Sequence, residues 1–316
     1  MDQTPVEVQV ALAESLSLQR QLSVAADYLA AGSISTHAEL GAYEWLWLNS
    51  ADSFGEMAEL FRRAPGLLPS EIVASEHISR TAASAVTHLT RAGITSFGIR
   101  VNGSLDYPTR LRETSKPAEV IYFQGCADLL HAPRSVSVVG TREMTDKGER
   151  RTRKLVQLLV ERDCLIVSGM ERGIGATAHE TAIKAGGATM AVLATPLSYH
   201  DPRSDKKLVR IVAADHLIVS PVPVLRFGRN EVRVHKMFAA ERGKIMSALT
   251  DATIIVEAGA ISSSVSQGEA ALKQGRKLFI LNGCFDQPNV DWPARLEAAG
   301  AVRVRQFEQI VHTLRK

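Results

Sequence analysis

The sequence has 316 residues, of which 45% are hydrophobic and 22% are charged, and its mean hydropathy is close to zero. This composition excludes an intrinsically disordered chain, a collagen and a coiled-coil rod, and the length suits about two globular domains. The net charge of +3 divides unevenly: residues 1–106 hold six basic and twelve acidic residues, a balance of −6, whereas residues 107–316 hold 31 and 22, a balance of +9. A basic C-terminal part favours an anionic partner such as nucleic acid, and a solvated basic surface is the alternative.

Patterns for export, membrane spanning and disulfide bonding are missing from the sequence. Its acidic start differs from the basic start of a signal peptide, and no apolar run approaches the ~20 residues of a transmembrane helix. Three widely spaced cysteines, Cys126, Cys164 and Cys284, fit neither a disulfide framework nor a zinc cluster. We therefore expect a soluble protein of a reducing compartment, the cytoplasm, with no membrane contact and no bound metal.

The first ~95 residues predict several short helices, because apolar residues recur at spacings of three and four and strand-like alternation is scarce. Gly, Ser, Asn and Pro interrupt this pattern at several points. We expect a small all-helical N-terminal domain over residues 1–106 and a second domain over residues 107–316. Trp45 and Trp47 are expected to pack in a core or interface rather than to stack on bases, since the charge around them is acidic.

The second part changes to short β-branched runs spaced by about 25 to 35 residues, the length of one βαβ unit. The predicted strands are Ser135–Val139, Leu165–Ser168, Thr189–Leu193, Leu217–Ser220, Thr253–Val256, Leu278–Leu281 and Ala301–Val304. The predicted helices between them are Lys147–Glu161, Thr177–Ala185, Lys207–Ala213, Val234–Ala248 and Ser266–Gln274. Apolar strands that alternate with helices indicate an α/β fold with a Rossmann-like, doubly wound, mostly parallel sheet.

Three loops that follow predicted strands are rich in glycine and hydroxyl side chains, and such loops form the ligand site of a doubly wound sheet. Glycines let backbone N–H groups approach an anion, and helix N-termini add positive potential. Arg142 and Arg172 would supply charge to a phosphate, and Arg242 and Lys244 would extend that surface sideways. The residues predicted to bind DNA or phosphate are Gly140, Thr141, Arg142, Ser168, Gly169, Arg172, Gly173, Arg242, Lys244, Ser262, Ser263 and Ser264.

A dinucleotide cofactor does not suit these loops. The fingerprint G-x-G-x-x-G is absent, since the second loop places Gly169, Gly173 and Gly175 at other spacings and the first loop has a single glycine. We expect no cofactor. His179 is expected to be a structural histidine rather than a proton-transfer group.

The same loops resemble the DprA/Smf family, the DNA-processing protein A of bacterial transformation. The family pattern S-G-x-A-R-G-I-D-x-x-A-H aligns without a gap with residues 168–179. Other matching segments are 107–111, 122–125, 139–142, 186–193 and 242–250, followed by Glu257, Ala258, Ser262, Ser264, Ala271, Gly275, Arg276 and Gly283. The resemblance covers about residues 107–305.

Several residues depart from the family pattern. Glu171 and Gly175 stand where the family has Ala and Asp, and Glu171 brings a negative charge that opposes an anion unless it pairs with Arg172. The other departures are Gly243-Lys244 for Asn-Arg, Ser262-Ser263-Ser264 for S-G-[ST], and Gln267 for Thr.

The resemblance implies a protein that binds single-stranded DNA, protects it and loads a RecA-type recombinase, without catalysis and as a homodimer. The alternative is a nucleotide-signal sensor or a nucleotide-cleaving enzyme on the same fold, with Glu257 and Glu171 as hydrolytic carboxylates. The residues leave both readings open, because phosphate-binding loops of this kind serve a mononucleotide as well as a DNA backbone.

Overall fold

The computed structural model describes residues 34–287 and 290–314. Its first part consists of helices α1 (Thr36–Asn49), α2 (Phe54–Arg63), α3 (Pro69–Ile72) and α4 (Ser75–Arg91). Hydroxyl groups cap two of them: Ser35 Oγ accepts a hydrogen bond from Ala38 N at 3.3 Å, and Ser53 Oγ accepts one from Glu56 N at 3.2 Å. The predicted short helices are confirmed here. Residues 1–33, with the acidic start and the first third of the predicted helical domain, lie outside the described residues.

Nine strands of the described chain form one sheet. They are β1 (Gly98–Val101), β2 (Val120–Gly125), β3 (Ser135–Gly140), β4 (Leu165–Ser168), β5 (Thr189–Val192), β6 (Leu217–Ser220), β7 (Ala252–Glu257), β8 (Lys277–Leu281) and β9 (Val302–Val304). The helices among and after them are α5 (Thr109–Arg112), α6 (Asp146–Val160), α7 (Ile174–Lys184), α8 (Lys206–Asp215), α9 (Val224–Gly228), α10 (Val232–Ala248), α11 (Ser263–Lys273), α12 (Trp292–Ala298) and α13 (Glu308–Leu314), with 3₁₀ turns at Ala127–His131 and Asn282–Cys284. None of the helices in the described ranges is both long and apolar enough to cross a membrane.

The strand order β1-β2-β6-β5-β4-β3-β7-β8-β9 confirms the Rossmann-like prediction. All pairs from β6 to β9 are parallel, and β3 lies between β4 and β7, so the winding of the chain reverses at β3. Helices cover both faces of the sheet: Ile254 and Val256 of β7 belong to one hydrophobic cluster, and Ile255 belongs to the other. Open α/β sheets bind ligands outside the carboxyl ends of the strands at such a reversal.

Two strands, β1 and β2, are absent from the sequence-based prediction. They pair antiparallel with each other, and β2 pairs antiparallel with β6, which extends the sheet at one edge. β1 precedes residue 106 in the chain and nevertheless joins this sheet. The division of the chain at residue 106 stays a prediction.

Aromatic side chains pack the N-terminal helices against the rest of the molecule. Trp47 of α1 is 1% exposed, and its ring centroid lies 5.1 Å from that of Phe54 and 5.4 Å from that of Phe238 on α10. Trp45 is half-buried and stacks on His77 with ring centroids 5.2 Å apart. Both tryptophans therefore pack within the protein, as expected from the sequence.

Glu44 of α1 joins the helical part to the sheet through its buried carboxylate. It accepts hydrogen bonds from Tyr122 Oη at 2.7 Å, Val224 N at 2.7 Å and Leu225 N at 2.9 Å. Burial raises the pKa of Glu44 to about 6, although these three donors oppose part of that shift. One side chain thus caps α9 and holds β2.

Glu119 makes the free energy of unfolding depend on pH. Its side chain is buried next to Asn102, whose Nδ2 donates a hydrogen bond at 2.8 Å, and burial raises the pKa of Glu119 to about 7. A carboxyl group with a raised pKa in the folded state stabilises the fold when protonated, so this contribution is complete below about pH 4.5 and is lost as the pH rises to about 7.

We therefore expect the unfolding free energy of the wild-type protein to fall by roughly 3 kcal/mol relative to that of Glu119→Gln between about pH 4 and about pH 8. Urea denaturation of both proteins at the two pH values measures this difference. A difference that does not change with pH would contradict the prediction.

Candidate functional site

A cleft of about 480 Å³ opens at the carboxyl ends of β3, β4 and β7, where the winding of the sheet reverses. Ten of the twelve predicted site residues line it: Gly140, Thr141, Arg142, Ser168, Gly169, Arg172, Arg242, Ser262, Ser263 and Ser264. The other lining residues are Val139, Glu143, Glu171, Gly175, Met246, Gly259, Ile261 and Gln267. The remaining two predicted residues, Gly173 and Lys244, are not part of this lining.

The first loop leaves β3 at Gly140 and passes closely between β7 and α7. A Cβ atom at position 140 would lie 2.6 Å from the carbonyl oxygen of Glu257 and 2.6 Å from Ile174 Cγ1, so glycine is needed for this approach. Thr141 N donates to Glu257 O at 2.8 Å, and Thr141 O accepts from Ile174 N at 3.2 Å. These two bonds fix the loop that carries Arg142 into the cleft.

The second loop follows β4 and turns at Gly173, which has a φ of +86°. A Cβ atom at position 173 would overlap the carbonyl oxygens of Thr141 and Arg142, so glycine lets the two loops meet. Similarly, a Cβ atom at position 175 would overlap Gly169 O, so the aspartate of the family pattern does not fit this loop conformation. Gly173 shapes the cleft without lining it.

Two helices begin at the cleft. α7 starts directly after Gly173, and α11 starts at Ser263 with Ser262 as its N-cap, whose Oγ accepts a hydrogen bond from Ser264 N at 3.2 Å. Ser264 Oγ also donates to Gly140 O at 3.2 Å, which joins the third loop to the first. The N-termini of both helices contribute positive potential, which favours an anion in the cleft.

Glu171 binds two of the cleft arginines. Its Oε1 accepts a hydrogen bond from Arg242 Nη1 and lies 3.6 Å from Arg142 Nη2. The Glu171 and Arg242 side chains are only 13% and 14% exposed, whereas that of Arg142 is 54% exposed. Burial opposes ionisation of Glu171, but the attraction and hydrogen bonding of Arg242, with the charge of Arg142, outweigh it and hold the pKa of Glu171 below its usual value.

Arg172 is exposed and takes no part in this network. The pairing of Glu171 with Arg172 considered above is not found, because Glu171 turns instead to Arg242, 71 residues away along the chain. Across the described ranges, no acidic side chain forms an ion pair with Arg172. Its guanidinium therefore faces solvent at the cleft without a counter-charge.

Lys244 lies on another face of α10 from Arg242, because two residues correspond to about 200° of helical rotation. Lys244 Nζ is 2.7 Å from Glu241 Oε1, and the side chain lines a separate groove beside α5 and α11. The structure brings Arg242 together with Arg142 and Arg172 but places Lys244 elsewhere. This separation interrupts the basic surface that the sequence suggests.

Glu257 is occupied by structural hydrogen bonds. Its carboxylate accepts from Thr145 Oγ1 at 3.0 Å and Thr145 N at 3.3 Å, and Thr145 Oγ1 caps α6 by accepting from Gly148 N at 3.0 Å. A Cβ atom at position 148 would overlap the Glu257 carboxylate, so the two groups pack closely. The cleft lining includes Glu171 but not Glu257.

His179 is fully buried in α7. Its Nδ1 lies 2.7 Å from Thr189 Oγ1, whose own hydroxyl donates to Ile166 O at 2.8 Å, so Nδ1 is the donor to Thr189. Burial lowers the pKa of His179 to about 4, which keeps the ring neutral at pH 7. These contacts are structural. Within the described ranges, no group of three or more His, Cys, Asp or Glu side chains could hold a metal ion.

One residue that lines the cleft, Ile261, is not among the site residues predicted from the sequence. Ile261 is fully exposed on the loop after β7 and lines the cleft. Its sequence signal is an apolar residue within a Gly-Ala-Ile-Ser-Ser-Ser loop, where small and polar residues are usual. An exposed side chain of this kind offers an apolar contact beside the arginines.

The sequence is similar to a known protein family and to several of its members. The sequence model of the family described as DNA recombination-mediator protein A matches residues 99–315. The DNA processing protein DprA of Streptococcus pneumoniae (strain ATCC BAA-255 / R6) is 34% identical over 209 residues, which are 64% of this chain and 71% of that protein. The DprA protein of Bacillus subtilis (strain 168) is 30% identical over 211 residues, or 67% of this chain and 69% of that protein.

Solved structures give the same result for the fold. The crystal structure of DprA from Streptococcus pneumoniae has a TM-score of 0.67 and 24% identity, covering 89% of this chain and 98% of that chain. The structure of DNA processing protein A from Helicobacter pylori, described for its single-stranded DNA binding mode, has a TM-score of 0.57 and 25% identity, covering 69% of this chain and 95% of that chain. On its sequence match and its relatives, the chain belongs to the DNA recombination-mediator protein A family.

Proposed function

We propose that this protein binds single-stranded DNA in the cleft. The convergence of Arg142, Arg172 and Arg242 with two helix N-termini at the reversal of the sheet carries this proposal. Arginine and backbone N–H groups at helix starts are suited to phosphate oxygens. The single-stranded DNA binding described for the Helicobacter pylori relative supports the same ligand. Ile261 adds an apolar surface that an unstacked base would contact.

In this proposal the protein protects exposed or incoming strands and loads them onto a RecA-type recombinase, as a homodimer in the cytoplasm. It breaks and forms no covalent bond. The family description as a recombination mediator supports this role, since a mediator must release the strand, and salt-dependent phosphate contacts are reversible. We also propose that residues 107–316 form the DNA-binding domain and residues 1–106 a helical N-terminal domain, whose strand β1 joins the sheet.

A salt titration with an Arg172→Ala variant tests the proposal. Fluorescence anisotropy of a labelled oligothymidylate should show binding that weakens steeply with salt and exceeds binding to duplex of the same length. Arg172→Ala should weaken it roughly tenfold and reduce the salt slope by about 0.7, the loss expected for one phosphate contact on a single strand. Arg80→Ala, which removes an exposed arginine on α4 outside the cleft, is the matched control and should change neither quantity.

The same experiment separates the proposal from its alternative. A nucleotide sensor or nucleotide-cleaving enzyme would bind a mononucleotide as tightly as a long strand, because a pocket holds only one unit. A DNA-binding protein gains affinity with strand length up to its site size. Affinity that is independent of length, or release of cleaved nucleotides during the titration, would replace the proposed function with the alternative.

A further inference from the structure

The carboxylate of Glu171 is closely surrounded by its own loop and by Arg242. A Cβ atom at position 169 would overlap Glu171 Oε2, so Gly169 provides the space in which the carboxylate lies. The partner guanidinium of Arg242 is as buried as Glu171 itself, and its Nε finds no hydrogen-bond partner among the described residues. The carboxylate is thus the main counter-charge of a half-buried arginine.

Glu171 lies close to two of the three arginines in the cleft and partly neutralises their charge. Arg242 and Arg142 both face Glu171 Oε1, and of the three cleft arginines only Arg172 is without an acidic partner in the described part of the chain. A phosphate that reaches Arg242 must either displace the carboxylate or lie beside it. Two anions on one guanidinium repel each other, and like-charge contacts of this kind cost several kcal/mol at interfaces.

We propose that Glu171 is a built-in counter-anion that occupies the phosphate position at Arg242 and so sets the affinity of the cleft. This inference rests on the proposed function, since the displaced group is taken to compete with a DNA phosphate. A lone phosphate must bear the whole cost of displacement. A strand that also contacts Arg172 and Ile261 shares that cost among several contacts, so Glu171 favours a polynucleotide over a single nucleotide.

Removing the carboxylate tests the inference. Glu171→Gln keeps the side-chain size and an oxygen for Arg242 but removes the charge. We expect it to bind the labelled oligothymidylate about tenfold more tightly and with a salt slope steeper by about 0.7, because Arg242 gains a phosphate contact. Glu149→Gln, which removes a carboxylate paired with Arg153 on α6 outside the cleft, is the control and should change affinity less than about twofold.

A double variant shows whether Glu171 acts through Arg242. If it does, the gain from Glu171→Gln should fall to about twofold in a protein that already carries Arg242→Gln, where only the more distant Arg142 is freed. A gain that is undiminished without Arg242, or a Glu171→Gln affinity no higher than that of the Glu149→Gln control, would overturn the inference. If Glu171→Gln does not fold, Glu171→Asp is the second variant. Its side chain is shorter by one methylene, which moves the carboxylate away from Arg242, so it should also bind the oligothymidylate more tightly.

A measurement without DNA separates this inference from the proposed function. Inorganic phosphate, compared with chloride at equal ionic strength, should raise the melting temperature of Glu171→Gln and leave that of the wild-type protein nearly unchanged. If none of the proteins binds single-stranded DNA but this phosphate effect is present, the proposed function is wrong and the inference that Glu171 acts as a counter-anion is supported. If DNA binds and phosphate changes the melting temperature of both proteins equally, the proposed function is supported and the inference about Glu171 is wrong.

Discussion

Replacing Glu44 with alanine should lower the free energy of unfolding by about 3 kcal/mol at pH 7, because three buried donors lose their shared acceptor. The donors are Tyr122 Oη, Val224 N and Leu225 N, at 2.7 to 2.9 Å from the carboxylate. An unsatisfied buried donor costs about 1–3 kcal/mol, and removal of a buried charge whose pKa is raised returns roughly 2 kcal/mol of that total. The cost of leaving three buried donors without an acceptor is the larger of the two effects.

Urea denaturation followed by tryptophan fluorescence measures the change, since Trp47 lies in the same core. Glu76→Ala is the control, because the Glu76 side chain is 78% exposed on α4 and its removal should cost less than about 0.5 kcal/mol. Glu44→Gln retains one acceptor oxygen and should fall between the two. Equal stability of the Glu44→Ala and Glu76→Ala variants would show that Glu44 does not hold the helices on the sheet.

Sequence patterns predict the strands that are buried on both faces and miss the short antiparallel strands at one edge. Every residue of β4, β5 and β6 is buried, so each appears in the sequence as three consecutive apolar residues next to one Ser or Thr. β1 alternates between half-buried and buried over only four residues, which is too short to establish a period, and the last residue of β2 is exposed. Pairing with β6 across about 95 residues of sequence, rather than local pattern, makes β2 a strand.

The loops of the site are predictable for the same reason as the strands, since each loop directly follows a buried run. Side-chain directions are harder to predict. On α10, Arg242 follows Phe238 by four residues and precedes Met246 by four, so helical periodicity places it on the packed side, whereas Lys244 falls on another face. The ion pair of Glu171 with Arg242 joins the loop after β4 to helix α10, 71 residues further along the chain, and no local pattern specifies it.

The change of Gly173 to alanine should produce the largest loss of function at the site. Gly173 has a φ of +86° and a ψ of −138°, a region that is nearly restricted to glycine, and an added Cβ atom would overlap two backbone carbonyl oxygens of the first loop. Backbone atoms cannot move aside as a flexible side chain can. Either the two loops separate or the helix that begins at Ile174 shifts. We expect a loss of at least about 3 kcal/mol in unfolding free energy and at least roughly tenfold in affinity for single-stranded DNA, since Arg142 and Arg172 move apart.

Gly186→Ala is the matched control for this change. Gly186 also has a positive φ, +74°, but nothing lies within 4 Å of the position that its Cβ atom would take. Alanine there carries only the intrinsic cost of the left-handed conformation, about 1 kcal/mol, and leaves the cleft intact. The difference between the two variants therefore measures the close approach of the loops together with the extra backbone strain of the Gly173 conformation. Denaturation and DNA titration of both proteins measure it; equal stability losses with unchanged DNA affinity would mean that the contact between the loops does not shape the binding site.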